Sequence, residues 1–145
     1  MTPAERAFLE RARVGSLATV DARNRPHPVP ICYALVDGAH EVRLVSAIDE
    51  KPKSTRELRR VRNIRSNPWV SVLVDRYSED WSRLAWVQVR GRADVVHPDE
   101  SGHEAAVRAL RSTYEQYDDH DLQERPVVSI RIDETRSWGA LEEWT

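Results

Sequence analysis

Cysteine is nearly absent from this chain. Cys32 stands alone among 145 residues, which excludes a disulfide framework and a cysteine-based metal site. Set in an apolar segment, it reads as an inert buried thiol. Glycine is scarce too: five glycines leave little room for a phosphate-cradling loop, and neither a P-loop nor a G-x-G-x-x-G turn occurs. The apolar runs, such as Trp69 to Val74, fall far short of the roughly 20 residues that a membrane-crossing helix needs. Glu5, Arg6, Glu10 and Arg11 follow Met1 in place of an apolar stretch, so no secretory signal is expected. There is no G-x-S-x-G nucleophile elbow. His27, His40, His97, His103 and His120 are scattered, with no H-E-x-x-H pairing to hold zinc. Asp118 and Asp119 adjoin, but in an acidic stretch that reads as solvated charge.

What is present suffices for one core. Hydrophobic residues make up 40% and charged residues 32% of the chain, and a domain of this size buries roughly two-thirds of its unfolded surface. A single globular domain over residues 1–145, cytoplasmic and without a membrane partner, is the expectation. Net charge is −2, yet its distribution is uneven. Lys51, Lys53, Arg56, Arg59, Arg60, Arg62 and Arg65 gather around a single acid, Glu57, while Glu115 to Glu124 carries five acids and no Lys or Arg. One concentrated basic segment in a near-neutral chain suits a local anionic ligand better than a long polyanion. The basic run has no interleaved aromatics, so a nucleic-acid partner is not expected.

Periodicity gives the elements. Thr2, Pro3 and Glu5 form a capping box and helix start, with Phe8, Leu9 and Ala12 as its apolar face and Gly15 as a stop. Val14 to Val20, Pro28 to Val36 and Glu41 to Ile48 read as strands of an antiparallel meander, broken by turns at Asp21 to Arg25 and Asp37-Gly38. Prolines at 28 and 30 push their strand toward a sheet edge. Lys53 to Ser66 is a helix with a Leu58, Val61, Ile64 seam, ended by Asn67-Pro68. Trp69 to Arg76 is a strand, Tyr77 to Arg83 a polar loop, and Leu84 to Val96 a long strand whose Gly91 marks a bulge or bend. Asp99 to Tyr114 is a helix with Ala106, Val107, Leu110 and Tyr114 on one face. Val127 to Ile132 is the last strand, and residues 133–145 form a tail. Six strands and three helices imply a mainly β, α+β architecture: a small antiparallel barrel with helices packed outside it.

Three stretches together resemble a known superfamily. They are Gly15-Ser16-Leu17-Ala18-Thr19-Val20-Asp21 with Arg25-Pro26-His27-Pro28-Val29-Pro30, the run Arg62-Asn63-Ile64-Arg65-Ser66-Asn67-Pro68-Trp69-Val70-Ser71-Val72-Leu73-Val74-Asp75, and Gly91-Arg92-Ala93-Asp94-Val95-Val96. Their order and spacing are similar to those of the pyridoxamine 5'-phosphate oxidase-like split β-barrel superfamily, over about residues 5 to 139. Asp49-Glu50-Lys51-Pro52-Lys53 and Asp80-Trp81-Ser82-Arg83-Leu84 resemble its flavin/deazaflavin oxidoreductases that use coenzyme F420.

The resemblance implies a six-stranded split barrel that forms a homodimer, with cofactor sites at the interface. It implies hydride transfer between reduced deazaflavin and a small unsaturated or quinone-like acceptor, the cofactor supplying the reactivity and no side chain a covalent step. F420 carries a phosphodiester and a polyglutamate tail, for which the basic segment is a natural counterpart. Relatives place two basic residues shortly after a strand-end serine. Counted from Ser46, these are Lys51 and Lys53, with Arg56 and Arg60 reaching the tail; counted back from Asn63 and Pro68, they are Arg59 and Arg60. The hairpin backbone from His27 through Val29 and Pro30 to Ile31 lines the ring. Trp81 stands near ring or substrate, and Trp86 in the core or the dimer contact. Asn24 occupies a turn position where relatives carry Gly, a place that tolerates left-handed backbone. The arginine–lysine strand pair with which pyridoxamine phosphate oxidases hold FMN is not evident. FMN is the alternative cofactor, and a non-enzymatic module holding F420, haem or a tetrapyrrole is the alternative role.

Overall fold

The computed structural model describes residues 1–48, 58–119 and 121–143. Among these residues three helices, α1 (Pro3–Arg11), α2 (Arg59–Ser66) and α3 (His103–Thr113), flank seven strands. The strands are β1 (Gly15–Val20), β2 (Pro26–Ile31), β3 (Ala34–Asp37), β4 (Val42–Ala47), β5 (Trp69–Arg76), β6 (Ala85–Val96) and β7 (Val127–Gly139). They form one antiparallel sheet in the order β2-β1-β5-β6-β7-β4-β3.

The mainly β class with flanking helices agrees with the expectation, but the count is seven strands, not six. Pro28 to Val36 does not run as one strand. At Tyr33 the backbone N–H donates to the Tyr114 hydroxyl at 3.0 Å, and that hydroxyl donates to the Tyr33 carbonyl at 2.8 Å. The Cys32 carbonyl accepts from Ser46 Oγ at 2.9 Å. With these groups diverted from the ladder, the chain breaks into β2 and β3, which lie at opposite edges of the sheet. Two residues joining opposite edges force the sheet to curl until those edges meet at Cys32 and Tyr33. The result is a barrel that is split, not closed.

Alternation on this curled sheet makes two cores. Leu17, Val72, Val74, Val87, Val89, Val128, Ile130 and Leu44 point inward. Phe8 and Leu9 of α1 and Val61 and Ile64 of α2 join that cluster. On the outer face, Ala106, Val107 and Leu110 of α3, with Tyr114, pack on Ala34, Val45, Ala47 and Val127. The capping box of α1 forms as expected: Thr2 N–H donates to Glu5 Oε1 at 2.8 Å, and Glu5 N–H to Thr2 Oγ1 at 3.1 Å.

Two boundaries differ from the sequence reading, those of the last strand and the last helix. The expected strand Val127–Ile132 continues to Gly139, because the twelve residues of β6 hold it in register as far as Ala85↔Gly139. The expected helix from Asp99 begins only at His103, after Gly102 at φ 93°. Within the described residues α2 begins at Arg59; 53–57 lie outside them. Gly91 sits at a bulge between β6 and β7, where a Cβ would fall 2.0 Å from the Arg131 carbonyl oxygen. That close approach requires glycine.

Candidate functional site: the split edge

The β1–β2 turn fixes what the β2 edge presents. Asn24 adopts φ 61°, the left-handed residue of a three-residue hairpin loop. Asp21 Oδ1 accepts the N–H groups of Arg23 and Arg25 at 2.8 and 2.9 Å, and its Oδ2 accepts from Arg25 Nε at 2.8 Å. The Arg25 backbone N–H above all, then the Arg25 side chain and the Arg23 N–H, hold the Asp21 carboxyl down to about 2 against its desolvation.

Asp21 N–H also donates to the Arg25 carbonyl at 3.0 Å, which sets the phase of the ladder. Antiparallel pairs alternate between exchanging and not exchanging hydrogen bonds. The bonded pairs are therefore Thr19↔His27, Leu17↔Val29 and Gly15↔Ile31, and the unbonded pairs are Val20↔Pro26, Ala18↔Pro28 and Ser16↔Pro30. The backbone groups of Pro26, Pro28 and Pro30 thus point away from β1, toward the side on which no further strand pairs with β2 among the described residues. Proline has no N–H, so this stretch of edge offers three carbonyls and no donor.

The expected site residues divide accordingly. The side chains of His27 and Val29 are half-buried and that of Ile31 is buried, all on the interior face with Leu17 and Thr19. Their carbonyls are used by β1. Within the expected His27–Ile31 backbone, Pro28 and Pro30 present outward carbonyls. Pro26 presents the same and lies outside that range; the P-x-P-x-P alternation was the signal for it.

The described residues on either side of 49–57 are tied to this part of the barrel. Ser46, buried on β4, reaches across the base of the split to Cys32, and the chain leaves the described residues two positions later, after Ile48. It returns at Leu58 into α2. Buried Asn63 of α2 donates from Nδ2 to Thr19 Oγ1 at 3.0 Å, and Thr19 Oγ1 lies 3.5 Å from the His27 carbonyl. Lys51, Lys53 and Arg56 lie outside the described residues. Of the alternative pair, Arg59 is exposed and Arg60 buried. The first turn of α2 holds both arginines, no acid and no side-chain cap. Cations at a helix amino end oppose the helix dipole, so this turn gives up local stability and concentrates positive potential.

The tryptophans take other places. Trp81 is 71% exposed in a 3-10 turn (Trp81–Arg83) beyond the far end of β5. The register puts His27 level with the start of β5, so the two are about 20 Å apart at 3.3 Å per residue. One chain does not bring Trp81 to the β2 edge. Trp86 pairs across strands with Trp138 on the outer face. That face also bears Trp69, Leu73 and Trp138, exposed by 53%, 42% and 54%. A groove of about 450 Å³ opens on it beside Pro26, lined by Ala18, Val20, Trp69, Ser71 and Arg90 among others.

The described residues thus form a seven-stranded split barrel with an acceptor-lined strand edge and an exposed apolar face. The profile of pyridoxamine 5'-phosphate oxidase matches residues 1–139, and the chain belongs to that family. No curated protein sequence matches it significantly. Among solved structures it is similar to the conserved hypothetical protein Rv2991 of Mycobacterium tuberculosis, with 26% identity, 96% of this chain and 85% of the other covered, and a TM-score of 0.71. It is similar to an FAD-binding protein of Mesorhizobium loti, with 28% identity, coverage of 90% and 87%, and a TM-score of 0.63. A haem-binding protein of Mycobacterium smegmatis shares the fold at 22% identity and a TM-score of 0.70; the match covers 99% of this chain and 56% of that one.

Proposed function

We propose that this chain is an oxidoreductase that holds coenzyme F420 at the split edge and presents it to a small unsaturated or quinone-like acceptor. What supports this reading is an acceptor-lined strand edge together with α2, which carries Arg59, Arg60, Arg62 and Arg65 of the basic segment and is bonded to β1 through Asn63 and Thr19. Lys51 and Lys53 are, moreover, the only lysines in the sequence; every other cation is arginine. A lysine is a compact charge on a flexible stem, suited to a phosphate that need not be gripped in a plane. The exposed Arg59, Arg62 and Arg65 extend the positive surface toward a polyanionic tail.

The residues present fit the group. The half-buried His27 and Val29 and the outward carbonyls of Pro26, Pro28 and Pro30 offer a ring both apolar contact and acceptors. When bound, the deazaflavin supplies a hydride from its central ring carbon. The protein's part is binding, orientation and exclusion of water.

A second copy completes the arrangement in this reading. The uncovered face with Trp69, Leu73, Trp86 and Trp138 is where it packs, closing the groove beside Pro26. Trp81, about 20 Å from its own β2 edge, reaches a cofactor only from the partner protomer. FMN or FAD is the second reading, favoured by the 28% identity to an FAD-binding protein. Side-by-side titrations with F420, FMN and haem separate these outcomes. Quenching of F420 fluorescence with a tight Kd supports the proposal, a yellow protein with a flavin spectrum supports the second reading, and no binding of F420 refutes the first.

A further inference from the structure

We infer that a strip across the outer face of the sheet binds a nucleoside diphosphate, its ring beside Trp69 and its phosphates on Arg92 and Arg131. The inference is independent of the cofactor reading and takes its charge from other residues.

The strand register draws the strip. Trp69 lies opposite Arg92, and Arg131 opposite both Arg92 and Arg43. Three arginines thus stand side by side on adjoining strands, β6, β7 and β4, about 4.8 Å apart per strand. Like charges directly opposite on one face destabilise a sheet. The carboxylates at hand relieve one end of the row. Glu41 holds Arg43 at 2.9 Å, Ser129 Oγ accepts from its Nη1 at 3.3 Å, and Asp94 lies at 4.0 Å. Arg131 has Glu41 and Asp133 only at 3.7 and 3.8 Å, beyond a hydrogen bond. Arg92 pairs with no carboxylate among the described residues; its guanidinium lies over the Trp69 ring, 5.1 Å from the centroid. Arg92 and Arg131 are both exposed. Their juxtaposition costs the free protein stability, and an anion that both forks reach reverses the cost. Planar guanidinium forks meet phosphate oxygens two at a time.

The other half of the strip is apolar. The groove of about 450 Å³ opens beside Trp69 over Ala18, Val20 and Val70, a volume in the range of small-ligand pockets. Glu134, which also lines it, is matched by Arg90 at 3.3 Å. Trp69 offers ring surface to a planar group. Groove, indole and cation pair follow one another in a line, so the ligand they fit is a planar ring continued by phosphates. A bare anion leaves the groove empty, and an uncharged ring leaves the two arginines opposed. Trp86 lies opposite Asp75, and the run from Trp69 to Asp75 spans about 20 Å, so the strip stands at the margin of the face proposed for a second copy.

Isothermal titration calorimetry of the full chain with ADP, inorganic pyrophosphate and adenosine tests the inference. ADP is expected to bind about tenfold more tightly than pyrophosphate, with adenosine weakest. Arg92→Gln and Arg131→Gln are each expected to weaken ADP about tenfold, the loss of a charge-assisted contact. Arg131→Gln also removes the like-charge contact and should melt no lower than the wild type without nucleotide, which separates loss of binding from loss of fold. Trp69→Leu is expected to weaken ADP about tenfold and pyrophosphate less than about threefold. No binding of ADP at millimolar concentration, ADP no tighter than pyrophosphate, or ADP affinity unchanged in both arginine variants overturns the inference.

Discussion

The link from Asn63 to Thr19 ties the basic helix α2 to β1, and its strength follows from burial. Asn63 is 5% exposed and Thr19 fully buried, and Nδ2 lies 3.0 Å from Oγ1. Asn63→Leu removes the amide but keeps a side chain of similar size, so cavity formation contributes little. It forfeits a hydrogen bond with a net value of about 1 kcal/mol and leaves the Thr19 hydroxyl without its donor, at a further cost of about 1–2 kcal/mol. The sum, about 2–3 kcal/mol, corresponds to a Tm loss of about 5–10 °C for a domain of this size. Thr19→Val strands the amide in turn and costs a similar amount. The double variant has neither polar partner left to strand, and replacing both partners with apolar groups is close to neutral. Urea unfolding followed by tryptophan fluorescence should therefore show the double variant at least about 1.5 kcal/mol more stable than the sum of the single losses predicts. Additivity within about 0.5 kcal/mol would refute the claim that this buried pair holds α2 on β1.

Two further predictions follow from other contacts. Burial would raise the Glu5 pKa, but the Thr2 N–H and the hydroxyls of Ser137 and Thr135 outweigh it, and the carboxyl titrates below its ordinary value. A depressed folded-state pKa gives stability that is full above the unfolded value, about 4.3, and is lost as pH falls through the folded one. Glu5→Gln should then lower Tm at pH 7, with the deficit shrinking below pH 4; a deficit that grows on acidification contradicts this assignment. Leu73→Glu buries a charge at the centre of the proposed contact between copies, so light scattering should report a monomer that has lost tight cofactor binding. A Leu73→Glu dimer with unchanged Kd removes that face from the site.

Much of this fold was legible because its signals are local. The capping box at Thr2 and Glu5, the left-handed Asn24, the Gly91 bulge and the Leu58, Val61, Ile64 seam each depend on a few neighbouring residues. What the sequence concealed depends on distant ones. Nothing near Cys32 and Tyr33 announces a strand break, since the groups that cause it, Ser46 Oγ and the Tyr114 hydroxyl, come from β4 and from just beyond α3. The extension of β7 through Asp133, Glu134 and Arg136 was hidden likewise, because charged residues there read as a tail until β6 supplies a partner. For the site, the alternating prolines were visible but their direction was not. The bond at Asp21 fixes which carbonyls face outward. The separation of Trp81 from His27 needed the full strand register.

The central claim is that cationic side chains assist the binding of a deazaflavin beside β2. A fluorescence titration with F420 of the wild-type protein and of the Lys51→Ala, Lys53→Ala double variant tests it most directly. Saturable quenching by the wild-type protein is expected, with affinity reduced by about thirtyfold or more in the variant, equivalent to at least ~2 kcal/mol from two lost phosphate contacts. Wild-type protein that leaves F420 fluorescence unchanged, or a double variant that binds as tightly as the wild type, would contradict it.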